Sequence, residues 1–429
     1  MKTVYYPPRE TWNDLCKRPL IDNSRLDKTV QEIISRIQTG GDKALREYTA
    51  KLDNVIIDDL KVSEAEINES EDTVPESLKE AIRLAAQNIE KFHRSQLINE
   101  QAVETMKGVI CSRKSVPVEK VGLYIPGGSA PLFSTVLMLA LPAGIAGCER
   151  IIMCSPPGED GKINPVVLFT AKLTGIKEIY KAGGAQAIAA MAYGTDTIVA
   201  VDKIFGPGNQ YVTKAKEIVQ AHGTAIDMPA GPSEVLVIAD STADPAFIAA
   251  DLLSQAEHGP DSQVVFLTNN EELLKRVKEE IKSQLDELPR KAEAGQSLNN
   301  SLFIVLRDME ECIYFSNKYA PEHLIINTSE PEDLAMKVKN AGSVFIGRYS
   351  CERAGDYASG TNHTLPTNGF ARSYSGVSTD SFMKKITFQK ISSEGLKTIG
   401  YAVELMAEAE GLRAHRNAVS IRLKTIENV

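Results

Sequence analysis

From Val121 onward the chain alternates short apolar runs with helical stretches, and that alternation limits it to few architectures. Residues 121–125, 150–154, 178–182, 203–205 and 235–239 read as strands, each followed by a turn and a helical run. The pattern resumes with strands over 263–268, 302–306, 323–327 and 343–347. Short apolar strands separated by helices make parallel sheets with helices on their faces. A chain of 429 residues is expected to divide into two or three domains.

The expected fold class is therefore α/β. It comprises two incomplete Rossmann-like βα domains with parallel sheets, plus helical N-terminal and C-terminal segments. Residues 1–22 read as an arm. Ser24 caps a helix whose Val30, Ile33, Ile34 and Ile37 share a face, until Gly40-Gly41 breaks it. A second helix over 75–99 turns Leu78, Ile82, Ala85, Ile89 and Phe92 inward. These helices are expected to pack with the later strands. That makes 23–119 and 234–380 the first α/β domain, 120–233 an inserted one, and 381–429 a helical tail.

A formal charge of -9 argues against nucleic acid as a partner, since phosphate recognition needs a basic surface. The most apolar run, 136–147, is broken by Pro142 and falls short of the roughly 18 residues of a membrane span. The first ten residues lack the apolar core of a signal peptide. Six cysteines are scattered without a Cys-x-x-Cys pair, which fits reduced thiols and a cytoplasmic location.

Three strand-to-helix turns in the middle segment are glycine-rich: Gly127-Gly128, Gly183-Gly184 and Gly206-Pro-Gly208-Asn209. Such turns let backbone N–H groups approach a phosphate at a helix start, beyond the carboxyl ends of the strands. The GxGxxG fingerprint is absent, with Tyr211 where its third glycine would stand. Each turn alone is equally well a tight βα connection. Three in one domain favour a ligand, and a nucleotide here would be bound in an atypical manner.

The polar residues cluster elsewhere. In Leu253-Ser-Gln-Ala-Glu-His-Gly-Pro, Gln255 and His258 lie at i and i+3 on one face of a helix that Gly259-Pro260 ends. On local grounds the plainer reading, a histidine capping carbonyls, is the stronger. Glu322-His323 puts a carboxylate beside an imidazole, the types that carry general acid–base catalysis. A solvated strand start is the plainer reading there. Asp356 and His363 lie in a long polar segment without an evident packing role, and Ser233 lies in a polar turn before a strand. His93 and His222 read as structural helix residues. Gln, His and Asp form a mixed N/O set that suits Zn²⁺, Mn²⁺ or Co²⁺ with a position left open.

With these residues in view, the chain resembles the histidinol dehydrogenase family over nearly its whole length. The resemblance rests on Val121-Gly-Leu-Tyr-Ile-Pro-Gly-Gly-Ser-Ala-Pro-Leu, Gly183-Gly-Ala-Gln-Ala-Ile-Ala, Asp202-Lys-Ile-Phe-Gly-Pro-Gly-Asn and Asp227-Met-Pro-Ala-Gly-Pro-Ser-Glu-Val. Ser254-Gln-Ala-Glu-His-Gly-Pro-Asp-Ser-Gln, Pro321-Glu-His-Leu, Gly355-Asp-Tyr-Ala-Ser-Gly-Thr-Asn-His and Glu410-Gly-Leu-Arg-Ala-His complete it. The resemblance implies oxidation of L-histidinol to L-histidine through L-histidinal with two NAD⁺, the last steps of histidine biosynthesis. It implies one Zn²⁺ per subunit on Gln255, His258, Asp356 and His415, and catalysis by Glu322 and His323. Substrate contacts would be Ser233, His363 and Glu410 together with these metal and catalytic residues, and the NAD⁺ site Tyr124, Gln186 and Asn209. It also implies a homodimer in which the C-terminal segment crosses over, so that Glu410 and His415 serve the neighbouring site. A zinc hydrolase using Glu322 to activate water, and a non-catalytic binding protein, are the rival readings.

Overall fold

A computed structural model describes residues 1–18, 24–98, 100–127, 131–229 and 231–427. It divides into two compact units, one of 1–96 with 118–382 and one of 97–117 with 383–429. The expected end of the N-terminal arm, the side chain of Ser24, and Gly128, Ser129, Ala130 and Ala230 lie outside the described residues.

The first unit holds the two expected parallel sheets. One consists of Lys120–Tyr124, Arg150–Ser155, Glu178–Lys181, Lys203–Phe205 and Ala225–Ile226. Their lateral order is third, second, first, fourth, fifth. The other consists of Glu234–Ala239, Gln263–Thr268, Leu302–Val305, His323–Asn327 and Ser343–Ile346, in the same order. Both sheets thus repeat the start of a doubly wound fold, whose order reverses between the first and fourth strands. All residues of Glu234–Ala239, Gln263–Thr268 and His323–Asn327 are buried, which explains their unbroken apolar runs. Each of these strands nevertheless opens on a polar residue, Glu234, Gln263 or His323.

Several expectations are corrected. Lys2–Tyr5 is a strand, not irregular arm; it pairs in parallel with Leu302–Val305 at the sheet edge. The early helices pack on the 120–226 sheet, not on the later one. In the helix Ser24–Leu52, kinked at Gly41, residues Val30, Ile33, Ile34 and Ile37 share a core with Ile152, Tyr180, Ile188 and Ile204. In Glu76–Arg94, Ile82, Ala85 and Ile89 pack with Leu137, Met138 and Phe169. A helical period shows that a buried face exists but not which sheet receives it. That helix ends five residues earlier than expected, by Arg94, and its inward stripe continues through buried His93 while Phe92 is exposed.

The second unit is an antiparallel sheet of Val103–Met106, Val109–Pro117 and Met383–Ile391, with the helices Ser393–Ala409 and Arg413–Glu427. The tail expected to be helical from 381 therefore begins with a nine-residue strand. Lys384 to Lys390 is exposed throughout, so no buried face imposed the two-residue alternation that marks a strand. Apolar Ile386, Phe388, Tyr401, Leu405, Met406, Leu412 and Ile421 are also exposed in this unit. No helix among the described residues is long and apolar enough to cross a membrane.

Candidate active site

The amino ends of the later sheet bring the polar residues together. Asp244 caps the helix Pro245–Ala256, which returns to the start of Gln263–Thr268 and delivers Gln255 there, fully buried. His258 follows just past the helix end. Pro321 and Glu322 enter the strand that His323 opens, beside Glu234 of the neighbouring strand. Residues expected as polar loop instead form the short helix Glu352–Tyr357, which carries Glu352, Arg353 and Asp356.

Glu234 holds the Glu322-His323 pair through its backbone. Its N–H donates to Glu322 Oε2 at 2.8 Å, and its carbonyl lies 3.1 Å from His323 Nδ1. A carbonyl can only accept, so Nδ1 carries a proton, and Nε2 is the nitrogen left to offer a lone pair as a base. Nε2 is buried, has no hydrogen-bond partner and lies 3.9 Å from Asp356 Oδ1. Nδ1 is also 3.6 Å from Glu322 and 3.5 Å from Glu352. Burial pushes the Glu322 carboxyl up to about 8, against the pull of His323 and the Glu234 N–H. Burial likewise raises Glu352, and raises Asp251 to about 7.

Glu234 is itself fixed. Arg18 forks onto both of its carboxylate oxygens at 2.8 and 2.9 Å while stacking 3.7 Å from the Tyr319 ring. Arg18→Ala leaves that carboxylate buried and unpaired, and is expected to cost about 3–5 kcal/mol of stability in urea denaturation. An unchanged unfolding midpoint would show that the pair is dispensable.

The proposed metal ligands of this unit converge on one cation, the Arg353 guanidinium. It lies 3.3 Å from Gln255 Oε1, 3.0 Å from His258 Nε2 and 2.5 Å from Asp356 Oδ2. Protein packed around the His258 ring, with Arg353 beside it, pushes that imidazole down to about 4, although part of the residue stays exposed. A guanidinium can only donate, so the 3.0 Å contact makes His258 Nε2 the acceptor, with its lone pair toward the cluster. His323, Glu352 and Asp356 also form a triad whose ligand atoms lie within 4.8 Å of one another. His363 stands on the same wall, its Nδ1 3.0 Å from the Asp356 carbonyl and its Nε2 3.2 Å from Thr135 Oγ1. Ser233 directly precedes Glu234 and is half-buried. Glu410 and His415 belong to the second unit, exposed at the end of one helix and on the next. His93 and His222 each bond a carbonyl of their own helix, at 2.8 Å, as structural residues do.

The three glycine turns meet at a cleft of about 850 Å³ at the carboxyl ends of the other sheet, lined by Asp53, Tyr124, Gly127, Gly184, Gln186 and Asn209. Its size suits a small-molecule or cofactor site. The glycines are also demanded by packing. A Cβ at Gly127 or Gly183 would strike Pro156, and one at Gly206, where φ is +130°, would lie 2.1 Å from the Tyr124 carbonyl oxygen. The Tyr124 hydroxyl accepts from the Gly184 N–H at 3.0 Å, and Asn209 caps the helix Gln210–Ala221. Gln186 Oε1 and Asp53 Oδ2 are buried without a partner. Burial pushes Asp53 up to about 6, and a free carboxylate at such a cleft suits ribose hydroxyls.

Sequence reasoning did not single out Glu352, Arg353 or Asp53. For the first two the available signal was two charges just ahead of Ala-Gly-Asp356; Asp53 carried none beyond its place at a helix end.

Residues 16–423 match the family model described as histidinol dehydrogenase. A histidinol dehydrogenase of Bacteroides fragilis is 56% identical over 426 residues, covering 99% of this chain and 100% of that one. The histidinol dehydrogenase of Escherichia coli strain K12 is 50% identical over 421 residues, covering 97% and 96%. The crystal structure of histidinol dehydrogenase from Elizabethkingia anophelis is 57% identical and superposes with a TM-score of 0.98, covering 100% of this chain and 99% of that one. With the match spanning both sheets and the C-terminal unit, this chain belongs to the histidinol dehydrogenase family.

Proposed function

We propose that this chain oxidises L-histidinol to L-histidine through L-histidinal, using two NAD⁺ and one zinc ion per subunit, in the cytoplasm. The observation that carries the reading is His323, a buried imidazole with Nδ1 committed to a carbonyl and Nε2 free beside a convergent Gln–His–Asp donor set. The 120–226 sheet would carry the dinucleotide at Tyr124, Gln186 and Asn209, and the 234–346 sheet the chemistry.

The donor set fits a divalent metal. Three acceptor atoms already surround one cationic group, and mixed N/O ligation suits zinc. Gln255, His258 and Asp356, with His415 of the partner subunit, would hold it, and it would supply a Lewis-acidic clamp that orients the substrate's imidazole and amine. NAD⁺ supplies the hydride acceptor for each oxidation.

In the first oxidation His323 Nε2 takes the hydroxyl proton as hydride leaves the carbinol carbon, giving the aldehyde. Water then adds to the aldehyde carbon, and Glu322 in its carboxylate form removes a proton from that water. A second hydride leaves the resulting hydrate, whose remaining hydroxyl proton goes to a base, and the carboxylate product forms. Ser233 and His363, with Glu410 of the partner subunit, would hold the substrate's polar ends. A buried site retains the aldehyde between the two steps. Exchange of the C-terminal unit between subunits of a homodimer is supported by its exposed apolar residues, which a partner would cover.

Zinc-loaded protein given histidinol and excess NAD⁺ should form two NADH per histidinol, and a chelator should abolish it. Absence of NADH from metal-replete protein would refute the reading. Metal-dependent amide cleavage without NADH would point to a hydrolase.

A further inference from the structure

We infer that Arg353 is an internal counter-cation that competes with the metal for the same acceptors and so sets the metal affinity of the site. The inference rests on the metal reading above. Its geometric basis is that one guanidinium touches each of the three proposed ligands of this unit and also Glu352, whose Oε1 lies 3.2 Å from Nη2.

His258 decides why these contacts and a bound metal exclude each other. Gln255 Oε1 and Asp356 each have further lone pairs, so they can serve two partners. A neutral imidazole has one. The lone pair on His258 Nε2 faces Arg353 Nη1 at 3.0 Å, and the same lone pair would have to point at a metal about 2.0–2.1 Å away. Arginine stays charged across the accessible pH range, so the conflict does not disappear by deprotonation. Metal entry therefore requires the guanidinium to leave. The Arg353 side chain retains 24% exposure, which gives its long stem a route toward solvent.

The same contacts give Arg353 a second effect. Asp356 is nearly buried and pairs with this guanidinium, and fully buried Glu352 has the same cation 3.2 Å from its Oε1. Arg353 thus holds the acidic wall together while the metal is away and weakens the metal's hold when it arrives. Loss of the guanidinium has opposite signs in the two situations. A residue that merely packs would shift both alike.

The test is zinc competition against a chromophoric chelator, with thermal unfolding of stripped and zinc-loaded protein, for wild type, Arg353→Gln and Arg353→Lys. For Arg353→Gln the expected zinc Kd is about tenfold lower than wild type or less, since forked, charge-assisted contacts no longer have to be broken. Its stripped form should melt below wild type while its zinc-loaded form melts with it. Arg353→Lys keeps the charge but loses the fork, and should bind zinc with intermediate affinity; it also serves if the glutamine variant does not fold. Unchanged zinc Kd in both variants, with equal melting shifts in stripped and loaded protein, overturns the inference. His258→Ala and Asp356→Ala separate the two readings. If these lose zinc while the Arg353 variants do not change, only the inference falls; if these too bind zinc normally, the metal reading falls with it.

Discussion

Glu322→Gln is expected to halt the reaction at the aldehyde. Histidine formation should fall by about 10²–10⁴-fold, the range general-base catalysis supplies, and NADH should drop from two per histidinol toward one. The glutamine can keep the Glu234 N–H contact through its amide oxygen. What it presents to water is then an NH₂ group with no lone pair to take a proton. The pH dependence has a definite sign. Glu322 is pushed up to about 8 by burial, so its working carboxylate is the minor form at neutral pH. Conversion of histidinal to histidine should therefore accelerate as pH rises toward about 8, and the variant should lack that rise. Normal histidine formation from histidinal by Glu322→Gln would remove Glu322 from the second step. The same variant reports on subunit sharing. Mixed with His415→Ala in equal amounts, half of the dimers are hybrids and half of the sites in each hybrid are whole. Activity should return to about a quarter of wild type if the segment crosses over in a two-fold dimer, and not at all otherwise.

His323→Asn is expected to lower kcat for histidinol by about 10²–10⁴-fold with little change in KM. The asparagine amide can still donate to the Glu234 carbonyl, so the fold around the site is kept. It has no counterpart of the Nε2 lone pair, which is the atom left unpartnered beside Asp356. The loss should be visible in the first NADH formed, which separates it from the Glu322 variant. An unchanged rate at saturating histidinol would show that another group takes the alcohol proton.

The sequence was most informative where burial is two-sided. Glu234–Ala239 and Gln263–Thr268 are covered on both faces, so their apolar runs announced central parallel strands. It was least informative at edges. Lys2–Tyr5 and Met383–Ile391 are strands with little or no buried face, and nothing in their pattern demanded pairing. The partner sheet of the early helices was misread because amphipathicity carries no address. The site was legible as residue types in motifs, not as a constellation. Gln255, His258 and Asp356 are brought together by a helix return that spacing cannot show. Arg353 was invisible while its segment read as loop; the helix Glu352–Tyr357 is what puts it at i, i+3 to Asp356.

The two sheets share one strand order, and the proposed sites would use them from opposite ends, which sets the sign of the field that each site would feel. Around the cleft, the helices Gly184–Tyr193 and Gln210–Ala221 present their amino ends, where the summed peptide dipoles are positive. Around the polar cluster, Pro245–Ala256 delivers Gln255 at its carboxyl end, and Met309–Tyr319 stops just before Glu322, so these two helices turn their negative ends toward it. A pyrophosphate would be drawn to the first and a cation to the second. Used end for end in this way, the repeated fold would supply an anion site and a cation site without any change of topology.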